Sequence, residues 1–159
     1  MKRSEVIREL SRLVALEIDA LQAYDAAIAW VGGPGTPIGS ELAVFKIEHQ
    51  KQALELHEAL LGLGARAPDV EEPDVKGVVI GALTPPRRRL NAQEVLEAMR
   101  GNEQLTTAVT RKILSRPLPA DMRALVGRAH AEEQRHLAWI EQALARALWF
   151  EAPGAASCP

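Results

Sequence analysis

The sequence predicts an all-α fold, four long helices in a bundle with one long crossover between the second and the third. Three observations carry that reading. Apolar residues recur every three or four positions in four segments. Strong breakers separate those segments, and residues 65–90 stand between the second and third of them. Composition agrees: Ala and Leu dominate while aromatics make up only 4%, and Ala and unbranched side chains lose little freedom in a helix. A chain of 159 residues suits one domain with a sizeable core. Residues 1–150 are expected to form the bundle, with 65–90 as its linker and 151–159 as a loose tail.

The first helix is expected from about Ser4 to Val31, with an inward stripe of Val6, Leu10, Leu13, Glu17, Ala20, Tyr24 and Ala27. Gly32-Gly33-Pro34-Gly35 ends it, since proline cannot continue the ladder and glycine allows a left-handed exit. The second begins near Thr36-Pro37, a cap followed by proline in the first turn. Its stripe is Leu42, Phe45, His49, Gln52, Leu56, Leu60 and Leu63, and Gly64 closes it. Asn91-Ala92-Gln93-Glu94 has capping-box spacing and opens the third, whose stripe is Leu96, Met99, Glu103, Thr106, Thr110 and Ile113 before Pro117. The fourth runs from about Pro119 to Phe150, with Val126, Ala129, Glu133, His136, Ile140 and Ala143 or Leu144 inward.

The linker holds four prolines, an acidic cluster (Asp69, Glu71, Glu72, Asp74) and the apolar piece Val78-Val79-Ile80. A helix of about 24 residues is roughly 36 Å long, a distance that about 11 extended residues can span. The linker is therefore long enough to cross the whole bundle, which permits the one-crossover topology.

A net charge of -2 gives no footprint for nucleic acid; Arg87-Arg88-Arg89 reads as solvated linker, with no aromatics interleaved. No apolar run approaches the ~18 residues of a membrane span. The start, Met1-Lys2-Arg3-Ser4-Glu5, leads directly into an amphipathic pattern without a signal-like block, so a cytoplasmic protein is expected. The one cysteine, Cys158, allows neither a disulfide framework nor a CxxC metal site.

Each apolar stripe is interrupted near its middle: Glu17, His49 with Gln52, Glu103, and Glu133 with His136. Desolvating a lone carboxylate is costly, so glutamates on an inward face are paired or ligating. Glu133-x-x-His136 places a carboxylate and an imidazole on one helical face, where they can share a metal ion. Such ligands suit iron, manganese or zinc. Tyr24 and Thr106 add polar groups nearby. A buried acid–base pair is the plainer reading of Glu133 and His136. Glu55, His57, Glu58, Glu132 and Glu141 read as solvated, His130 as structural or exposed, and Trp139 and Trp149 as filler.

The run Glu17-Ile18-Asp19-Ala20-Leu21-Gln22-Ala23-Tyr24, with a tyrosine seven residues after the central glutamate, resembles the first helix of bacterioferritins. Glu132-Glu133-Gln134-Arg135-His136-Leu137-Ala138-Trp139-Ile140-Glu141 resembles their fourth. Across all four helices, including the Gly64 stop and the segment from Met99 to Thr106, the chain is similar to uncharacterised bacterial ferritin-like domain proteins. The resemblance implies a ferritin-like bundle and a carboxylate–histidine metal centre. One iron position would keep Glu103 and His136, with Glu133 as the bridge. The other would keep Glu17, with Gln52 where a histidine is expected and His49 in place of a bridging carboxylate unless Glu48 turns in. Replacing a bridge removes negative charge that two divalent ions need, so one supported and one compromised position are expected. The ligand set is Glu17, His49, Glu103, Glu133 and His136, with Glu48, Gln52 and Tyr24 as additional candidates. No rubredoxin-like cysteine module and no fifth helix are present, which implies a homodimer in preference to a cage of 24 subunits.

Two functions follow. In the first, the chain would bind one or two irons and would oxidise iron with dioxygen or peroxide, with Tyr24 supplying an electron or a hydrogen bond. Alternatively it is a non-catalytic bundle whose polar centre is a hydrogen-bonded network without metal or around one structural ion, serving as an interaction or stress-associated protein.

Overall fold

The computed structural model describes residues 1–66 and 90–150. Among them are four helices: α1 Arg3–Trp30, α2 Pro37–Gly62, α3 Ala92–Leu114 and α4 Ala120–Arg146. The linker reading for 67–89 and the tail reading for 151–159 lie outside the described residues.

The helix ends follow the local chemistry of the sequence. At the start of α1 the Glu5 carboxylate accepts from Lys2 N–H at 2.8 Å, satisfying a donor that the helix leaves unpaired. Gly32 and Gly33 adopt φ of 97° and 90°, and Gly33 N–H reaches back to Ile28 O at 2.8 Å, closing α1 with a left-handed turn. Thr36 caps α2, its Oγ1 accepting from Gly39 N–H at 3.0 Å, with Pro37 in the first turn. Asn91 and Glu94 form a reciprocal capping box on α3, both bonds 2.9 Å long. The sequence carried α4 on to Phe150, but the α-helix stops at Arg146. Ala147 is left-handed at φ 52° and a 3-10 turn spans Leu148–Phe150. A left-handed alanine carries no sequence signal, which is why the end was misplaced by a turn.

α1 packs on α2 and α3, and α4 packs on α3 and α2. The core has two apolar clusters. One joins Leu10 and Leu13 of α1 with Leu56 and Leu60 of α2, Ile113 of α3 and Val126 of α4. The other joins Ala27, Leu42, Phe45, Leu96, Met99 and Ile140. The start of α1 thus lies with the ends of α2 and α3 and the start of α4. Ala65 packs on the first cluster and Leu90 on the second, so the two flanks of the linker sit at opposite ends of the bundle. This is the one-crossover topology. No described helix is long and apolar enough to cross a membrane.

Between the clusters lies a buried polar layer: Glu17, His49, Gln52, Glu103, Thr106, Glu133 and His136. All four inward stripes are therefore interrupted at one height, and the fold delivers these side chains to a common centre.

Gly39 sits where a Cβ would collide with the Gly33 carbonyl, whereas the space beside Gly101 is open. Gly39→Ala is expected to destabilise the protein by about 1–3 kcal/mol. Gly101→Ala, inside α3, should stabilise it by about 0.5–1 kcal/mol. Thermal melts of the two variants beside the parent check both signs.

Candidate metal centre

Four helices meet at this layer, and each contributes one ionisable side chain or more. His49 and His136 are fully buried, as is Glu133, and Glu17 and Glu103 are 1% exposed. Carboxylates removed from water to this degree require opposite charge or hydrogen bonds, and the structure supplies both. His49 Nδ1 donates to Glu17 Oε2 at 2.7 Å. Its Nε2 lies 3.6 Å from Glu103 Oε1. His136 Nε2 donates to Glu48 Oε2 at 2.5 Å, while its Nδ1 lies 3.4 Å from Glu103 Oε2. The donor roles follow from the partners, since a carboxylate facing an imidazole nitrogen accepts its proton.

The two acids of the second hairpin are braced by hydroxyls. Tyr24 donates to Glu103 Oε1 at 2.7 Å, and Thr106 donates to Glu133 Oε2 at 2.5 Å. Aromatic packing fixes the rings: Phe45 stacks on His136 with centroids 4.2 Å apart, and Tyr24 lies 5.0 Å from His49.

One pattern recurs on four residues. Each has one polar atom engaged or facing a brace and another buried without a hydrogen-bond partner: His49 Nε2, Glu103 Oε2, Glu133 Oε1 and His136 Nδ1. One donor atom from each of these residues lies within 4.8 Å of the others. Glu17 Oε1 and Gln52 Oε1 are also buried and unpartnered. Two imidazoles and two carboxylates form a donor set that suits iron, manganese or zinc. A carboxylate behind each imidazole, Glu17 on His49 and Glu48 on His136, is the usual way a ligating histidine is oriented and kept basic.

The protonation pattern is set by burial and crowding. Burial alone would lower the His49 pKa, but the carboxylates of Glu103, Glu17 and Glu133 outweigh it and hold the ring's pKa well above its ordinary 6.5. Burial pushes Glu133 well above the ordinary carboxylate range, and neighbouring Glu103 and Glu17 add to that against the pull of His49. Glu103 is held low despite its burial, because His136 and His49 both face it. Burial, reinforced by the charge of Glu103, holds the Tyr24 phenol well above 10.0. Partial burial works against ionisation of Glu48, yet His136 and Arg135 keep it below its ordinary value.

The structure brings Glu17, His49, Glu103, Glu133 and His136 together, with Tyr24 on Glu103. Glu48 does turn in, but to the outer nitrogen of His136 and to Arg135 at 2.7 Å. Gln52 is buried, yet its amide donates away from the centre, to Glu132 Oε2 at 2.7 Å. Glu132, read as solvated, is half-buried for that reason. Its sequence neighbours gave no sign of this, because the contact crosses from α4 to α2. The bracing role of Thr106 was visible only as a hydroxyl one turn after Glu103.

Solved structures share this architecture. One described as ferritin-like, diiron-carboxylate proteins, from Bacillus anthracis str. Ames, matches at a TM-score of 0.70 and 21% identity, covering 91% of this chain and 99% of that one. The chain has the ferritin-like fold. A conserved hypothetical protein from Mycobacterium tuberculosis matches this ferritin-like bundle at a TM-score of 0.72 and 16% identity, over 99% of this chain and 100% of that one. No family model and no curated protein matches the sequence.

Glu133 and His49 both have raised pKa values, so the stability they contribute is present at low pH. It is lost as pH rises, from 4.5 for Glu133 and from 6.5 for His49, through their raised values. The metal-free protein is expected to melt at progressively lower temperature above pH 6.5. His49→Gln should flatten that part of the profile in thermal melts from pH 6 to 9.

Proposed function

We propose that this protein binds a divalent transition-metal ion in the polar layer, one ion per chain, through His49, Glu103, Glu133 and His136. The observation that carries the proposal is that these four buried residues offer ligand atoms within 4.8 Å of one another, while each also holds a buried polar atom without a hydrogen-bond partner. Glu17 and Glu48 act behind the imidazoles, orienting each ring through its other nitrogen. Tyr24 and Thr106 hold the second oxygens of Glu103 and Glu133. The position that would take a second ion lacks a histidine, since Gln52 is committed to Glu132.

The activity that fits this set is oxidation of ferrous iron by dioxygen or peroxide. Iron held there supplies one-electron chemistry, and hard carboxylates favour its oxidised form. The chain's own work is to dehydrate the ion, fix four donors and manage protons. Loading would displace the proton held on Glu133 and the one on His49 Nε2, leaving the Nδ1 proton on Glu17, because a ligand binds a cation in its deprotonated form. Tyr24, with its proton held by Glu103, is placed to pass a hydrogen bond or an electron to the centre.

A second reading has its own support. The layer already sets a protonated His49 among the carboxylates and keeps Glu133 neutral, which supports a purely structural polar centre.

Elemental analysis after anaerobic ferrous loading and desalting separates these readings. About one iron per chain is expected in the parent and none in Glu133→Ala. Two irons would overturn the single-ion assignment, and no retained metal in the parent would favour the structural network. Glu17→Gln and Glu48→Gln should keep the stoichiometry and weaken affinity about 10- to 100-fold, read by competition with a chelating dye. Oxygen uptake on adding ferrous iron, absent in His136→Ala, tests the redox step.

A further inference from the structure

Away from the metal centre, three guanidiniums converge on one carboxylate where α1 meets α3. Glu9 is only 4% exposed. Arg116 of α3 donates to its Oε1 at 2.6 Å. Arg8 and Arg12, one turn apart on α1, place a nitrogen 3.8 and 3.9 Å from the same carboxylate. Those two distances are too long for hydrogen bonds, so the N–H groups of both side chains stay open to another acceptor. Both side chains are exposed, at 62% and 67%.

A fourth cation belongs to this patch. The start of α1 lies with the end of α3, so the two helices are antiparallel, and the Glu9–Arg116 contact sets their register. One turn along, Arg12 and Lys112 stand within about 1.5 Å of the same height, across a seam whose axes are roughly 8–10 Å apart. Lys112 is exposed and shares a helical face with Arg116, four residues on. Four cations thus face one acid. Among the described residues no carboxylate other than Glu9 pairs with any of them. Glu5, the next acid along α1, is turned to the Lys2 amide. The negative end of the α3 dipole is taken up by other cations. Arg123 donates to the carbonyls of Leu114 and Arg116, and the Met1 ammonium to that of Pro117.

The chemistry of the patch selects its ligand. Like charges on exposed side chains would otherwise spread apart, but the buried Glu9 carboxylate draws these guanidiniums together and orients them. Each guanidinium is a planar fork that matches two oxygens of a phosphate. We propose that this seam binds a phosphate group, free or carried on a small molecule, between the forks of Arg8 and Arg12, with Lys112 and Arg116 as the opposite wall. Chloride, with no second oxygen for a fork to grip, competes poorly.

Thermal melts and calorimetric titrations of the metal-free full chain test this. Inorganic phosphate at about 20 mM is expected to raise the melting temperature by about 3–6 °C over sodium chloride of equal ionic strength. Arg12→Gln combined with Lys112→Gln should abolish the rise with unchanged helical circular dichroism, since both side chains are exposed. Arg8→Lys combined with Arg12→Lys keeps the charge but removes the forks, and should weaken binding about tenfold. Glycerol 3-phosphate separates the two sources. Tighter binding than inorganic phosphate assigns the site to a phosphate carried on an organic molecule, and weaker binding assigns it to the free ion. No rise over chloride, as when an acidic segment of the same chain lies on the patch, would overturn the proposal. So would a rise that persists in the Arg12→Gln, Lys112→Gln variant, a general salt effect, or binding indifferent to the two lysine replacements, a diffuse attraction.

Discussion

His49 is fully enclosed at the centre of four helices, and its charged ring is held among the carboxylates of Glu17, Glu103 and Glu133. Neither partner could be buried alone. An isolated ion in such a place costs several kcal/mol even after relaxation, and removing one member of a buried pair leaves the other uncompensated. The remainder of the layer is arranged around this constraint, with Tyr24 on Glu103 and Thr106 on Glu133. It also fixes how the helices stand against one another. Faces made of Leu and Ala tolerate small slips, but a one-residue slip of any helix here would strand a carboxylate.

The presence of an imidazole where a carboxylate would be expected changes the electrostatics of the layer. With His49 directed inward and Glu17 behind it, the inner ring holds two neutral donors and two acids when deprotonated. That is charge suited to one divalent ion. Two would exceed the charge of that inner ring and leave the balance to the outer carboxylates of Glu17 and Glu48. The metal-free layer limits its negative charge differently, by retaining protons on His49 and Glu133.

Much of this was legible in the chain. Glu17, His49, Glu103, Glu133 and His136 each interrupted an apolar stripe, and a period of 3.6 residues is enough to set them at one level. Less could be read where a side chain reaches off its own face. Glu48 lies beside the stripe of α2 and arrives at His136 only because the carboxylate is long and α4 is adjacent. Gln52 sits on the stripe, yet turns its amide to Glu132, a choice made by the neighbouring helix. The end of α4 was overrun because Ala147 adopts a left-handed conformation that its identity does not announce. The crossover was permitted by linker length, and only the placement of Ala65 and Leu90 at opposite ends established it.

The centre is divided between two hairpins. Glu17, Glu48 and His49 come from α1 and α2, while Glu103, Glu133 and His136 come from α3 and α4, and the flanks of the connection between the two pairs, Ala65 and Leu90, sit at opposite ends of the bundle. Each hairpin can form from contacts close in sequence, but the polar layer cannot close until segments some eighty residues apart have met, as Tyr24 and Glu103 do. Loop-closure entropy delays such contacts relative to local ones. The ion-pair network therefore depends on contacts of high sequence separation, and anything bound within it acts as a clasp on the seam between the two hairpins.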